Sequence, residues 1–310
     1  MSGIIANPQQ VEQWAEAERR KPLTRRRFLC GTGAAVAGLA LYSGEIARHE
    51  ISIVTHEIVI ANLPAAFHGF RIVQISDIHL DEYTEPWFLR RVVGQINRLA
   101  PDLVALTGDY ISAGPLGERF AARAMPRCVE ILREIVCPLR YAVMGNHDYV
   151  LGPVQIRAEL AKASIPLLLN QHIAIERAGQ QMWLAGVADP VISQPDLRLA
   201  LPEQPDGPVI LLAHGPDFAD TVVADPRGAL VDLMLAGHSH GGQICLPIVG
   251  ALTRPAGAKK YFEGLYRVGA MQVYVNRGIG TVGLPFRLNC PPEISLFTLR
   301  PADGLNPVFY

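Results

Sequence analysis

The sequence predicts an α/β fold in which two packed mixed β-sheets are flanked by helices. Three observations carry this. Nearly continuous apolar runs, such as residues 102–107 and 231–236, alternate with stretches of helical periodicity, the pattern of strands buried on both faces with helices outside. Short hairpin-like apolar runs between residues 167 and 187 break the alternation and imply a second sheet packed on the first. The chain has 310 residues, 49% of them apolar, and a net charge of -1. That suffices for one large domain or two small ones, excludes disorder, and gives no general attraction to nucleic acid.

Residues 1–50 read differently from the rest. A basic opening (Arg19, Arg20, Lys21) leads to Thr24-Arg25-Arg26-Arg27-Phe28-Leu29, and a weakly apolar stretch follows over residues 34–42. This is the three-part order of an export leader. The pair Arg25-Arg26 before Phe28-Leu29 resembles a twin-arginine signal, which implies the twin-arginine export machinery as a partner and a periplasmic or outer-membrane-face location. No clear small-x-small cleavage site precedes Glu45, so the leader is compatible with retention as an anchor. No apolar run is long and pure enough to read as a transmembrane helix from the sequence.

The body is expected to span residues 51–301, with a tail at 302–310. Strands are expected at 51–60, 70–76, 102–107, 140–144, 167–169, 172–176, 182–187, 209–213, 231–236, 272–276 and 294–299. Helices are expected at 85–100, where Pro101 enforces the stop, and at 116–136, 154–163 and 218–223. Residues 189–207, rich in Pro and Asp, read as a surface loop.

Where the strands stop matters most. Five end in Asp77-x-His79, Gly108-Asp109, Gly145-Asn146-His147-Asp148, His214 and Gly237-His238-Ser239-His240. In α/β sheets, ligands bind beyond the carboxyl ends of strands. Five of the nine histidines lie in these endings, and mixed oxygen and nitrogen donors suit Mn, Fe or Zn better than Ca or Mg. On chemistry alone, Asn146, His147 and Asp148 are each eligible: an amide oxygen, a ring nitrogen or proton donor, and a carboxylate that can orient an imidazole.

In order and spacing these blocks resemble the calcineurin-like metallophosphoesterase superfamily over residues 70–245. The resemblance implies a metallophosphoesterase α/β sandwich and two divalent transition-metal ions. One ion would be held by Asp77, His79, Asp109 and His240, the other by the bridging Asp109 with Asn146, His214 and His238. His147 would then face the substrate, supported by Asp148. Two adjacent cations lower the pKa of a shared water to give hydroxide, and polarise the phosphoryl oxygens of a phosphodiester, pyrophosphate or phosphomonoester. The expected substrate is therefore a phosphate ester. The rival outside enzymology is a metal-binding cell-surface protein without turnover; within it, a phosphomonoesterase or nucleotidase.

Two other motifs carry less. Gly237-x-Ser239-x-Gly241 fits a nucleophile elbow, but no histidine follows His240 to complete a triad. Gly278-x-Gly280-x-x-Gly283 follows a strand, but Pro285 and a polar turn follow instead of a helix, so these glycines read as a loop near the site. With Asn276-Arg277 and Pro291-Pro292-Glu293-Ile294, that segment resembles the exported or membrane-bound bacterial YkuE/YaeI-like phosphoesterases, a group related to UDP-2,3-diacylglucosamine pyrophosphohydrolase. That implies a lipid-linked or nucleotide-sugar substrate near a membrane surface. Trp87-Phe88, residues 246–252 and Lys259-Lys260-Tyr261 suit such a setting. Of the five cysteines, Cys128 and Cys137 would lie roughly 13 Å apart on one helix, too far for a disulfide. Cys245 with Cys290 remains open.

Overall fold

The computed structural model describes residues 24–113 and 117–302. Two compact units make up the chain, Met1–Tyr42 and Ser43–Tyr310. In the first, α1 (Arg25–Leu41) starts at Thr24, whose hydroxyl accepts the Arg27 N–H at 3.3 Å. The paired arginines thus open an exposed helix. The helical residues Arg25–His49 are long and apolar enough to cross a membrane by length and composition, where the sequence alone suggested no such run. The leader before residue 24 and the tail beyond residue 302 lie outside the described residues.

The second unit contains two large sheets. The first, in order β1-β13-β2-β3-β4, joins β1 (Ser52–Ile60), β13 (Glu293–Pro301), β2 (Arg71–Ile75), β3 (Leu103–Leu106) and β4 (Leu139–Ala142). It is parallel except where β13 runs against β2. The second, in order β11-β12-β8-β7-β6-β5, joins β11 (Gly264–Val268), β12 (Met271–Val275), β8 (Val231–Ala236), β7 (Val209–Leu212), β6 (Gln180–Gly186) and β5 (Gln171–Arg177). Its central pairs are parallel, and its two edge pairs are antiparallel.

Alternation along the strands builds four layers. Ile72, Leu103 and Tyr141 of the first sheet meet Leu184, Ile210, Leu212, Leu233 and Leu235 of the second in one buried cluster between the sheets. Val73, Ile75 and Leu106 point the other way, onto α2 (Pro86–Leu99), α3 (Gly117–Leu132) and α4 (Gly152–Ala161). Val209, Leu211 and Met234 face the short α5 (Leu197–Ala200) and α6 (Ala219–Ala224). The parallel strands β2, β3, β4, β7 and β8 therefore deliver their following loops to a common edge.

Some expectations shift. Residues 167–169 make only one bridge, Leu167 with Ala142, and do not form a strand. The helix expected over 116–136 ends at Leu132, because the chain turns to enter β4; residue 116 lies outside the described residues. Cys137 therefore sits off that helix, and all five cysteines are free. Strand β11 and the small hairpin β9 (Cys245–Leu246) with β10 (Gly250–Ala251) were not expected: both are short and lack a strong apolar alternation.

Candidate metal centre

The loops after β2 and β3 are stitched together first. Asp77 N–H donates to the Gly108 carbonyl at 2.9 Å, and the amides of Ile78 and His79 donate to the Asp109 carbonyl at 2.7 and 3.1 Å. Gln74 spans the sheets, donating to Thr107 and to the Ala236 carbonyl at 2.9 Å each. These bonds put the endings of β2, β3 and β8 side by side.

The side chains converge accordingly. Asp77, His79 and His240 offer ligand atoms within 4.8 Å of one another, as do Asp109, His214 and His238, and His79, Asp109 and His147. His79 Nε2 and His240 Nε2 face each other at 3.1 Å. Asp109 Oδ2 lies 3.2 Å from His214 Nε2 and 3.5 Å from His79 Nε2. The buried Asn146 Oδ1 has no partner, and His214 Nε2 has no aligned hydrogen bond. Buried acceptors without donors, beside crowded ring nitrogens, are what a cation would satisfy. The donor set fits divalent transition-metal ions.

The outer nitrogens are fixed as metal ligands require. His214 Nδ1 bonds the Thr107 carbonyl at 2.7 Å, His238 Nε2 bonds the Ala256 carbonyl at 2.7 Å, and His79 Nδ1 bonds Ser112 Oγ at 2.9 Å. Burial pushes His79 down to about 3 against the pull of Asp109. Burial also lowers His238, helped by His214, and lowers His240, helped by Arg287. These three imidazoles are held neutral, the form that binds a metal. Burial opposes charge on His214, but Asp109, Asp77 and Asp189 raise it well above the imidazole range. Burial likewise opposes ionised Asp109, and His214 overcomes it, drawing the carboxyl down.

The backbone is as specialised as the side chains. Asp77, His79, Asp109, His238 and His240 have φ of 52°, 47°, 57°, 67° and 51°, in the left-handed region that L-residues rarely occupy. Two glycines clear the space these residues need. A Cβ on Gly145 would lie 2.2 Å from Asp109 Oδ1, and one on Gly237 would lie 1.9 Å from Ser76 Oγ and 2.5 Å from Asp77 Oδ2.

Asp148 takes a different part from the one expected. Its carboxylate accepts from Asp109 N at 2.8 Å, Tyr110 N at 2.9 Å and Gly145 N at 2.9 Å, and makes no hydrogen bond to the His147 ring. It fixes the Asp109 backbone; burial, with Asp109 nearby, raises its pKa well above the carboxylate range. His147 is oriented instead by Ala113, whose N–H donates to Nδ1 at 2.8 Å, leaving the ring proton on Nε2. The ring packs edge-on to His79, centroids 4.8 Å apart. His147 lines a cavity of about 220 Å³ with Asp109, His238, His240, Gln243 and Arg254.

Two residues escaped the sequence reading. Asp189, placed in an expected surface loop, is fully buried; Oδ1 accepts from Val191 N and Ile192 N at 2.8 Å each, while Oδ2 has no partner. It lies within electrostatic reach of His214. Arg287 is fully buried and donates to the carbonyls of Arg277, Gly278, Gly280 and Cys290. That loop in turn holds the first ending: Ile279 N–H donates to the Ser76 carbonyl at 2.9 Å and Gly280 N–H to the Asp77 carbonyl at 2.7 Å. The glycine-rich segment is therefore a loop against the site, followed by no helix. Arg287→Met is expected to destabilise the fold by at least about 3 kcal/mol, since several buried carbonyls lose a charged donor; urea unfolding measures it, with metal content falling in parallel.

Lys260 and Tyr261 are engaged away from the cavity. Lys260 Nζ lies 2.8 Å from Asp220, which also accepts from the Tyr261 hydroxyl at 2.9 Å. Phe88 is buried in the core, and only its neighbour Trp87 is exposed.

The profile of the calcineurin-like phosphoesterase family matches residues 70–242. The uncharacterized metallophosphoesterase YkuE of Bacillus subtilis is 34% identical, covering 90% of this chain and 99% of that protein. Phosphodiesterase YaeI of Escherichia coli is 30% identical, covering 89% and 99%. UDP-2,3-diacylglucosamine pyrophosphatase LpxG of Chlamydia trachomatis is 29% identical, covering 76% and 86%.

Proposed function

Because the chain belongs to the calcineurin-like phosphoesterase family, whose members are metal-dependent phosphoric ester hydrolases, we propose that it cleaves a phosphodiester or pyrophosphate bond at a two-metal centre. One observation carries this reading: two ligand clusters, Asp77/His79/His240 and Asp109/His214/His238, adjoin through the contact of Asp109 with His79. The orphaned Asn146 oxygen supports a ligand role for that residue.

Asp77, His79, Asp109 and His240 would hold one ion, and Asp109, Asn146, His214 and His238 the other. Bound there, such ions supply the positive charge that acidifies a water and neutralises phosphoryl oxygens. The chain's own residues do the rest. Asp148 and Asp109 set the loop geometry through backbone bonds. His147, with its proton on Nε2, donates a hydrogen bond to a phosphoryl or departing oxygen and takes no part in holding metal. Asp77, His79, Asp109 and His214 are buried, and that low-dielectric setting strengthens their charge interactions.

The relatives' names favour a diester or pyrophosphate over a monoester, and LpxG, with the leader resembling a twin-arginine signal, favours a lipid-linked substrate met outside the cytoplasm. The test is metal analysis followed by a metal-reconstituted screen against mono- and diester phosphates, nucleotide sugars and phospholipids. The expected result is close to two transition-metal equivalents and turnover of diesters or pyrophosphates. One equivalent or none in metal-replete protein would defeat the two-metal centre.

A further inference from the structure

The hairpin β9–β10 stands on the rim of the cavity and has an unusual surface. Ile248 at its tip is fully exposed, at 108% of its reference area, and Val249 is 70%, Leu252 51% and the adjacent Leu284 55% exposed. Scattered single apolar residues on a surface need no explanation, but three on one hairpin with a fourth on the adjoining loop do. Ile248 also has φ 72°, a conformation costly for a β-branched residue. Neither feature serves the protein's own core.

The protrusion is braced rather than loose. Cys245 N–H donates to the Leu288 carbonyl at 2.9 Å, Leu252 N–H to the Ile244 carbonyl at 3.0 Å, and Gln243 Nε2 to the Leu284 carbonyl at 2.9 Å. Ala251 packs on Gly242, where a Cβ would come within 2.3 Å of the alanine methyl. The tip therefore holds its apolar side chains outward, and its base is tied to the loop that follows His240.

Along its own segment the charge is of one sign, although Glu82 accepts from Gly283 N beside Leu284. Residues 241–261 contain Arg254, Lys259 and Lys260 and no carboxylate. Lys260 is engaged by Asp220, and Arg254 lies over the Phe262 ring at 4.0 Å with Glu263 within electrostatic range. An apolar tip with cations behind it complements a bilayer, whose acyl layer accepts the tip while anionic headgroups meet the cations.

We infer that the β9–β10 hairpin, with Leu284, inserts into the interfacial layer of an anionic lipid bilayer and seats the cavity beside it. The inference deepens the proposed function by naming the surface at which that site works, and it rests on that reading for preferring a phosphate-bearing surface. Arg254 belongs to both, since it lines the cavity.

The test uses the full chain carrying Ile248→Trp, with Val249→Trp as a second probe in case the first fails to fold. Vesicles of phosphatidylethanolamine and phosphatidylglycerol at about 3:1 are prepared with and without brominated acyl chains. Co-sedimentation establishes that the chain is bound, and wild-type emission is subtracted as background. The expected result is a blue-shifted added emission, with at least about twofold quenching by the brominated lipids. An added tryptophan that stays water-like and unquenched on vesicle-bound protein overturns the inference. So does failure of the chain to bind vesicles. A blue shift without vesicles, accompanied by dimers in sedimentation, assigns the hairpin to a second copy of the chain and equally overturns it. Hydrolysis of soluble bis(p-nitrophenyl) phosphate is measured on the same samples; its absence throughout counts against the proposed activity and leaves the hairpin result standing.

Discussion

Asp109→Asn is expected to emerge from purification depleted of both metals, with turnover down at least about a hundredfold. The substitution is nearly isosteric, and asparagine tolerates the left-handed backbone (φ 57°) as well as aspartate does, so the loop should keep its course. Charge and donor chemistry change instead. Asp109 Oδ2 stands 3.2 Å from His214 and 3.5 Å from His79, one histidine from each cluster. An amide there offers one neutral oxygen in place of a carboxylate and can turn an N–H toward ring nitrogens that must accept a metal. His214 would also lose the anion that most raises its pKa. Metal analysis beside circular dichroism separates this from unfolding. Retention of two equivalents would remove Asp109 from the bridging position.

His147→Ala separates binding from chemistry. It should keep its metals and lose about 10²–10³-fold in rate, the usual share of one positioned hydrogen-bond donor. His147 reaches the cavity from the turn after β4, its orientation set by the Ala113 amide, and its main-chain N–H donates to Asp109 Oδ1 at 2.9 Å. Alanine preserves that backbone bond and deletes only the ring. The loss should shrink for a leaving oxygen that needs little hydrogen-bond support, such as a nitrophenolate, and stay large for an alkoxide. A variant that loses one metal equivalent makes His147 a ligand with His79 and Asp109, while an unchanged rate removes it from the chemistry.

Most of the strands and the residues just past their ends were readable because each is local: an apolar run of fixed period, then a small residue, then one or more donors. Asp77, His79, Asp109, Asn146, His214, His238 and His240 follow that rule, and the fold gathers their loops at one edge. What stayed hidden depends on contacts between distant segments. Asp148 reads as a partner for the histidine beside it, but its oxygens reach Asp109, Tyr110 and Gly145. Asp189 sits in a stretch whose Pro and Asp content signals exposure, and burial reverses that meaning. Arg287 could not be told from a surface arginine, since its acceptors are main-chain carbonyls, which leave no mark in the sequence. Cys245 and Cys290 are free thiols on the site loop, donating to the Gly241 and His240 carbonyls at 3.2 and 3.1 Å.

The first sheet also constrains how the protein can be made. Strand β1 pairs with β13 from Ser52↔Glu293 to Ile60↔Pro301, and β13 then lies between β1 and β2. The earliest strand of the body thus waits for β13, which follows every other described strand, and until then the edge of β2 is bare. Residues 293–301 must leave the ribosome before the sheet closes, so a chain truncated before residue 293 has no way to finish. Any route that carries this protein across a membrane must either wait for that closure or hold it off.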